Sequence, residues 1–318
     1  MLGFVYPGQG SQSPGMGAFL YEEFEVARRF FEMASDAINL DLKKLCFTGS
    51  IQELALTENT QPALLTVSMA TTQVIQEITG LVPSLTAGHS VGEYASLVLG
   101  GVISFQAAVK AVQLRGQSMQ NAVPEGQGGM VAVLGLTEEQ VHFLCRWACE
   151  NSGFSPLSPA NYNCEGQIVI SGNQKVLNWL KDHFNPEILP GSPRRAKLIP
   201  LQVSAPFHCE MMLPAQDAMA EFFNSISFQD SKLPVIQNVT AKLEKNGELL
   251  KKNLITQISG AVKWTQTMQE FKLQNCSTII ECGHGAVLKG LFKKSDADYF
   301  KVYCTNSLED LKALETLK

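Results

Sequence analysis

The stretch Ser84-Leu85-Thr86-Ala87-Gly88-His89-Ser90-Val91-Gly92-Glu93-Tyr94 decides the reading of the fold. Ser84–Ala87 is a short apolar run that stops at Gly88, and a helical pattern starts near Tyr94. Gly88, Ser90 and Gly92 therefore make Gly-x-Ser-x-Gly between a strand and a helix, the setting of a nucleophile elbow. The flanking glycines let the chain turn sharply and leave the serine Oγ at the strand end. The helix N-terminus supplies backbone N–H groups and a favourable dipole for an oxyanion beside it. Taken alone, the five residues are also compatible with an ordinary Gly-rich loop; the strand before and the helix after favour the elbow.

Strand-like and helical segments alternate outward from that turn. Leu2–Tyr6, Gly129–Leu134, Ile168–Ser171, Leu198–Val203, Val235–Gln237, Thr278–Glu281 and Tyr299–Tyr303 read as strands. Glu22–Ile38, Ala63–Ile78, Ala107–Met119, Glu138–Glu150, Met212–Phe223 and Trp264–Leu273 have apolar residues at helical spacing. Alternation of this kind argues an α/β fold with a mainly parallel sheet. The Gly-rich segment Pro124–Gly129 and the Pro-, Gly- and Arg-containing loop Pro186–Arg195 punctuate the chain. Between and just beyond them the order is βαββαβ, with central strands Ala160–Tyr162 and Ile168–Ser171 joined through Cys164-Glu165-Gly166. That order is the ferredoxin-like pattern. The expectation is a large, discontinuous α/β-hydrolase-like domain with a parallel sheet (1–125 and 199–318) carrying a small ferredoxin-like domain (126–198).

Composition narrows the function. At about 150 residues per domain, 318 residues allow two domains. The chain is 45% hydrophobic and 17% charged, enough for a large core. A formal charge of −5 lacks the basic surplus of a nucleic-acid binder. No apolar run is long enough to span a membrane, and residues 1–12 lack the features of a signal peptide. The eight cysteines have no Cys-x-x-Cys pair, which fits free thiols in a cytoplasmic protein. The five histidines lie in no metal-ligand pattern, so no metal is expected.

A serine nucleophile needs a base within hydrogen-bond reach. His89 adjoins Ser90 in the elbow, where neighbouring side chains diverge. His142 and His183 fall in helical patterns of the small domain and read as solvated. His208, in Ser204-Ala205-Pro206-Phe207-His208-Cys209, follows an apolar strand. His284, in Cys282-Gly283-His284-Gly285, does so too and is the runner-up.

Four segments resemble the malonyl-CoA:acyl carrier protein transacylase family, related to the acyltransferase domains of fatty-acid and polyketide synthases. They are Gly8-Gln9-Gly10-Ser11-Gln12, Gly88-His89-Ser90-Val91-Gly92-Glu93, Arg115-Gly116-Gln117-Ser118-Met119 and Ala205-Pro206-Phe207-His208. Lesser matches are Ala160-Asn161-Tyr162-Asn163, Asn238-Val239-Thr240 and Val262-Lys263-Trp264-Thr265. They follow the family's order over essentially the whole chain.

The resemblance implies a Ser–His dyad, with Ser90 the acylated nucleophile and His208 the general base and acid. It implies that a main-chain carbonyl from Gln257 orients the imidazole, and that the N–H groups of Gln9 and Val91 form the oxyanion hole. Arg115 would otherwise read as a solvated helix arginine; the family match makes it the group that grips the malonyl carboxylate, through two parallel hydrogen bonds. Phe207 resembles the malonyl-selective form of its loop. Met119, Asn161 and Gln257 complete the expected substrate pocket. The chain departs from the family at Gly283-His284-Gly285-Ala286, where Gly-Pro-Gly-Lys is more usual, and in a longer loop at 185–195.

The expected reaction moves a malonyl group from malonyl-CoA to the phosphopantetheine thiol of holo-acyl carrier protein through a malonyl-serine. It needs no cofactor, and a monomer is expected, with no membrane or nucleic-acid partner. The alternatives are a serine thioesterase or hydrolase, a stand-alone acyltransferase of a polyketide or polyunsaturated-lipid synthase, and a non-enzymatic carrier-docking module. Arg115 weighs against the first, and the joint presence of Ser90, His208 and Arg115 against the last.

Overall fold

A computed structural model describes every residue except Ser192, Arg194 and Lys318. Among the described residues, ten strands form two sheets: β1 (Leu2–Tyr6), β2 (Leu85–Gly88), β3 (Gly128–Leu134), β4 (Leu157–Cys164), β5 (Gln167–Asn173), β6 (Lys197–Pro200), β7 (Val235–Ile236), β8 (Leu243–Glu244), β9 (Thr278–Glu281) and β10 (Lys301–Tyr303). The larger sheet has the order β10-β9-β1-β2-β7-β8. All its pairings are parallel except β7 with β8. A parallel sheet is covered on both faces, so its central strands are apolar throughout. In β1, Phe4 and Tyr6 enter the core on one face, while Val5 joins Leu85, Trp264, Phe271 and Phe292 on the other. Side-chain alternation along the strand accounts for that division.

The smaller sheet, β4-β5-β3-β6, is antiparallel, as the ferredoxin-like order requires. Val131 and Val133 of β3 pack beneath helices 138–152 and 174–183, whereas Met130 and Ala132 face the main core. β6 crosses the boundary expected at 198/199, because it pairs with β3 from Lys197 to Pro200. β4 is tied to the main body through its backbone: Tyr162 N–H donates to Val262 O (2.9 Å) and Val262 N–H to Ala160 O (2.8 Å).

Two helices carry the floor of the cleft between the sheets. One, Phe105–Asn121, starts at Ser104, whose hydroxyl accepts from Ala107 N–H at 3.2 Å. The other, Thr57–Thr79, starts six residues before the expected Ala63 and runs through Pro62. The proline forgoes one N–H but does not end the helix. The two approach closely at Gly116, where a Cβ would sit 2.6 Å from Glu58 Cα. That contact brings the neighbouring Arg115 beneath the end of β2. Among the described residues, no helix is long and apolar enough to cross a membrane.

Candidate active site

Ser90 occupies the turn between β2 and helix Gly92–Leu99 with φ +52°. The glycines on either side are required sterically. A Cβ on Gly88 would run into the backbone of Gly92, and one on Gly92 into the Tyr6 carbonyl. β1 and the elbow thus press together, and Gly8, just beyond β1, packs against the His89 carbonyl.

His208 is 4% exposed and lies on the loop after β6 with φ +60°. Its Nε2 is 2.7 Å from Ser90 Oγ. Its Nδ1 lies 2.8 Å from the Gln257 carbonyl and 3.1 Å from the Gly260 carbonyl. A carbonyl only accepts, so Nδ1 carries the proton and Nε2 presents its lone pair to the serine. Burial, then the nearby Arg115 charge, hold the imidazole pKa down at about 3. The ring is therefore neutral at physiological pH, as a base must be.

Arg115 is 1% exposed. Its Nη2 donates to Ser90 Oγ at 3.1 Å and to Gln257 Oε1 at 2.8 Å, and its Nη1 to Gln61 Oε1 at 2.9 Å. Among the described residues no carboxylate lies within salt-bridge distance of it, and its Nε has no partner. The guanidinium is hydrogen-bonded only to neutral groups, with the buried Glu93 carboxylate one amide away through Gln257, so a ligand carboxylate can still pair with it directly. Burial pulls its pKa down.

A cleft of about 190 Å³ opens over these groups. Gln9, Val91, Met119, Asn161, Phe207 and Arg115 all line it. Among the described residues, neither the Gln9 nor the Val91 N–H donates to a protein acceptor, which leaves both for a ligand. Gln257 departs from the expected pocket: it is wholly buried behind the wall, where its side chain bonds Arg115, Glu93 and the Ser90 carbonyl. Sequence reasoning missed Gln61, Glu93 and Asn163. A glutamine in an apolar helix carries no signal, and Glu93 and Asn163 lay unremarked inside quoted motifs.

The other histidines are engaged elsewhere. His89 Nε2 lies 2.9 Å from Asn163 Oδ1, His142 Nε2 2.9 Å from the Tyr162 hydroxyl, and His284 Nε2 2.7 Å from Ser13 Oγ. His183 stacks on Trp179.

An elbow serine paired with a histidine, over a cleft floored by a buried cation, defines an acyl-transferring site. The chain belongs to the acyl transferase domain family, whose model matches residues 3–298. It is 39% identical over 318 residues to the malonyl CoA-acyl carrier protein transacylase of Bacillus subtilis (strain 168), covering 100% of this chain and 97% of the relative. Its fold matches that of a malonyl-transacylase solved in complex with a type II polyketide synthase acyl carrier protein (TM-score 0.92, 38% identity, 100% of this chain and 99% of that one). It also matches FabD from Acinetobacter baumannii (TM-score 0.90, 39% identity, 99% and 97%).

Proposed function

We infer that this chain transfers the malonyl group of malonyl-CoA to the phosphopantetheine thiol of acyl carrier protein, supplying the malonyl thioester for fatty acid synthesis. The observation that carries this reading is Ser90 Oγ, held 2.7 Å from His208 Nε2 and 3.1 Å from the unpaired Arg115 guanidinium. A generic hydrolase has no use for a buried cation beside its nucleophile. A dicarboxylic half-thioester does, because its free carboxylate supplies the direct ion-pair partner that no described residue of the chain gives Arg115.

In the first half-reaction His208 Nε2 takes the Ser90 proton as Oγ bonds to the thioester carbonyl carbon. The carbonyl oxygen gains negative charge and is held by the N–H groups of Gln9 and Val91. Collapse breaks the C–S bond, and the imidazolium returns its proton to the coenzyme A sulfur. The carrier thiol then gives its proton to His208 and attacks the malonyl-serine ester. The second collapse restores Ser90 Oγ–H, so the kinetics are ping-pong.

We further propose that the small sheet and its two helices form a separate domain, closing at Pro200 rather than at the expected 198, and that the enzyme works as a cytoplasmic monomer. One chain contributes every group named above, and its eight cysteines are free. Intact-mass analysis after mixing with malonyl-CoA tests the central claim. One malonyl adduct on Ser90, absent from Ser90→Ala and discharged by holo-acyl carrier protein, is expected. An adduct that persists in the variant or maps to a cysteine overturns it.

A further inference from the structure

Strand β7 runs beside β2 only as far as Ile236, which pairs with Ala87. Past that pairing, the Gly88 carbonyl and the Ser90 N–H meet no backbone group of β7. The Asn238 side chain lies there instead. Its Oδ1 accepts the Ser90 N–H at 2.7 Å, and its Nδ2 donates to the Gly88 carbonyl at 2.6 Å. Asn238 is wholly buried, and its own backbone is fixed on both sides: its N–H donates to Glu93 Oε2 at 3.0 Å, and its carbonyl accepts from Lys263 N–H at 3.0 Å.

The two elbow groups have opposite character. A backbone N–H only donates and a carbonyl only accepts, so the group between them must offer an acceptor and a donor side by side. A carboxamide does this in one orientation, and an ionised carboxylate cannot. A serine with positive φ persists only where its surroundings over-determine it, and these two bonds bracket His89 and fix the chain leading into that serine.

We propose that Asn238 is a positioning residue that continues the β7 ladder with its side chain, clamping Gly88 and Ser90 so that Oγ meets His208. It touches no reacting atom, and it rests on the reading of Ser90 as the acylated group. Its loss should therefore slow acylation without altering the grip on the donor.

The variant Asn238→Asp gives a signature that a merely structural role would not. Ionised, the introduced carboxyl accepts from Ser90 N–H but opposes the Gly88 carbonyl. Protonated, it reproduces the carboxamide pattern. Burial and the neighbouring Glu93 carboxylate both favour the protonated form. Arg115 acts in the opposite direction across the Gln257 amide, and burial holds the nearby His89 and His208 imidazoles below the ordinary histidine pKa. Acylation of Ser90 by malonyl-CoA, measured relative to wild type at each pH, should be down on the order of 100-fold at alkaline pH. It should recover as the pH falls toward about 6. A loss that stays constant with pH, or no loss at any pH, overturns the proposal.

Asn238→Ala supplies a second test if the first variant does not fold. It should lower kcat for malonyl and acetyl donors alike, by roughly 10-fold or more, with KM unchanged. An unchanged kcat, or a change confined to KM, overturns the clamp. Wild type run in parallel separates the two claims: wild type that forms no malonyl-serine defeats the functional reading rather than the clamp.

Discussion

Ser90 and His208, whose side chains meet at 2.7 Å, both hold their backbones in the left-handed region, at φ +52° and +60°. Each partner of the dyad is bent out of ordinary conformation to reach the other. Such conformations cost about 1–3 kcal/mol each and are retained where function requires them. Comparing Ser90→Gly with Ser90→Ala isolates the cost at the elbow, since both lack the hydroxyl. The glycine variant should be more stable by about 1 kcal/mol in urea unfolding. Equal stabilities would mean that the turn is unstrained.

His208→Ala should lose on the order of 100- to 10,000-fold in transfer rate, the usual worth of a general base. His284→Ala should cost far less, because its ring is engaged with Ser13, 2.7 Å away. Steady-state transfer to holo-acyl carrier protein ranks the two. The reverse ranking would move the dyad to His284.

The His208 pKa, lowered to about 3 first by burial and then by Arg115, has two consequences. A base neutral down to that range leaves the acid limb of kcat/KM far below the ordinary histidine value of about 6.5. Arg115→Ala removes one of these causes, so its acid limb, measured with acetyl-CoA, should move upward in pH. Stability follows the same sign. The unfolded chain binds a proton at this histidine below about 6.5 and the native chain does not. Stability is thus full above that pH and falls between about 6.5 and about 3. His89, also lowered by burial, adds to the fall. Urea midpoints across this window should drop less steeply for His208→Ala than for wild type.

Arg115→Ala strands the malonyl carboxylate without a partner. Truncating one side of a buried charge pair typically costs about 2–5 kcal/mol, or roughly 30- to 5,000-fold in malonyl transfer. Acetyl-CoA has no carboxylate to strand, so its weak reaction should survive or improve. Values of kcat/KM for both donors in both proteins decide the matter. An equal loss would make Arg115 structural.

The elements of the site differ in how legible they were. The elbow was plain because Gly88, Ser90 and Gly92 are steric necessities, and such necessities write themselves into a short motif. The βαββαβ order emerged from periodicity alone. Arg115 did not: helical spacing cannot say that a neighbouring Gly116 draws a second helix close enough to bury its neighbour. The helix through Pro62 began earlier than periodicity indicated, since proline near a first turn reads as a boundary. Position after a strand favoured His208 over His284 only modestly and the family resemblance chose it; the 2.7 Å contact with Ser90 joins loops far apart in the chain, which no local pattern encodes. Asn238 was visible only as a motif without a task, because its partners are backbone groups and leave no mark on the residues that own them.

The orienting partners of His208 are the main-chain carbonyls of Gln257 and Gly260. A triad that ends in an aspartate can be broken by one codon change and can lose its charge to acid. Here neither event is available, because every amino acid brings the same carbonyl and a carbonyl does not titrate. A mutational scan of this enzyme will therefore recover two members of the relay and never the third. Substitutions at 257 will report on the Gln257 amide, which ties Arg115, Glu93 and the Ser90 carbonyl together, and not on the carbonyl that orients His208.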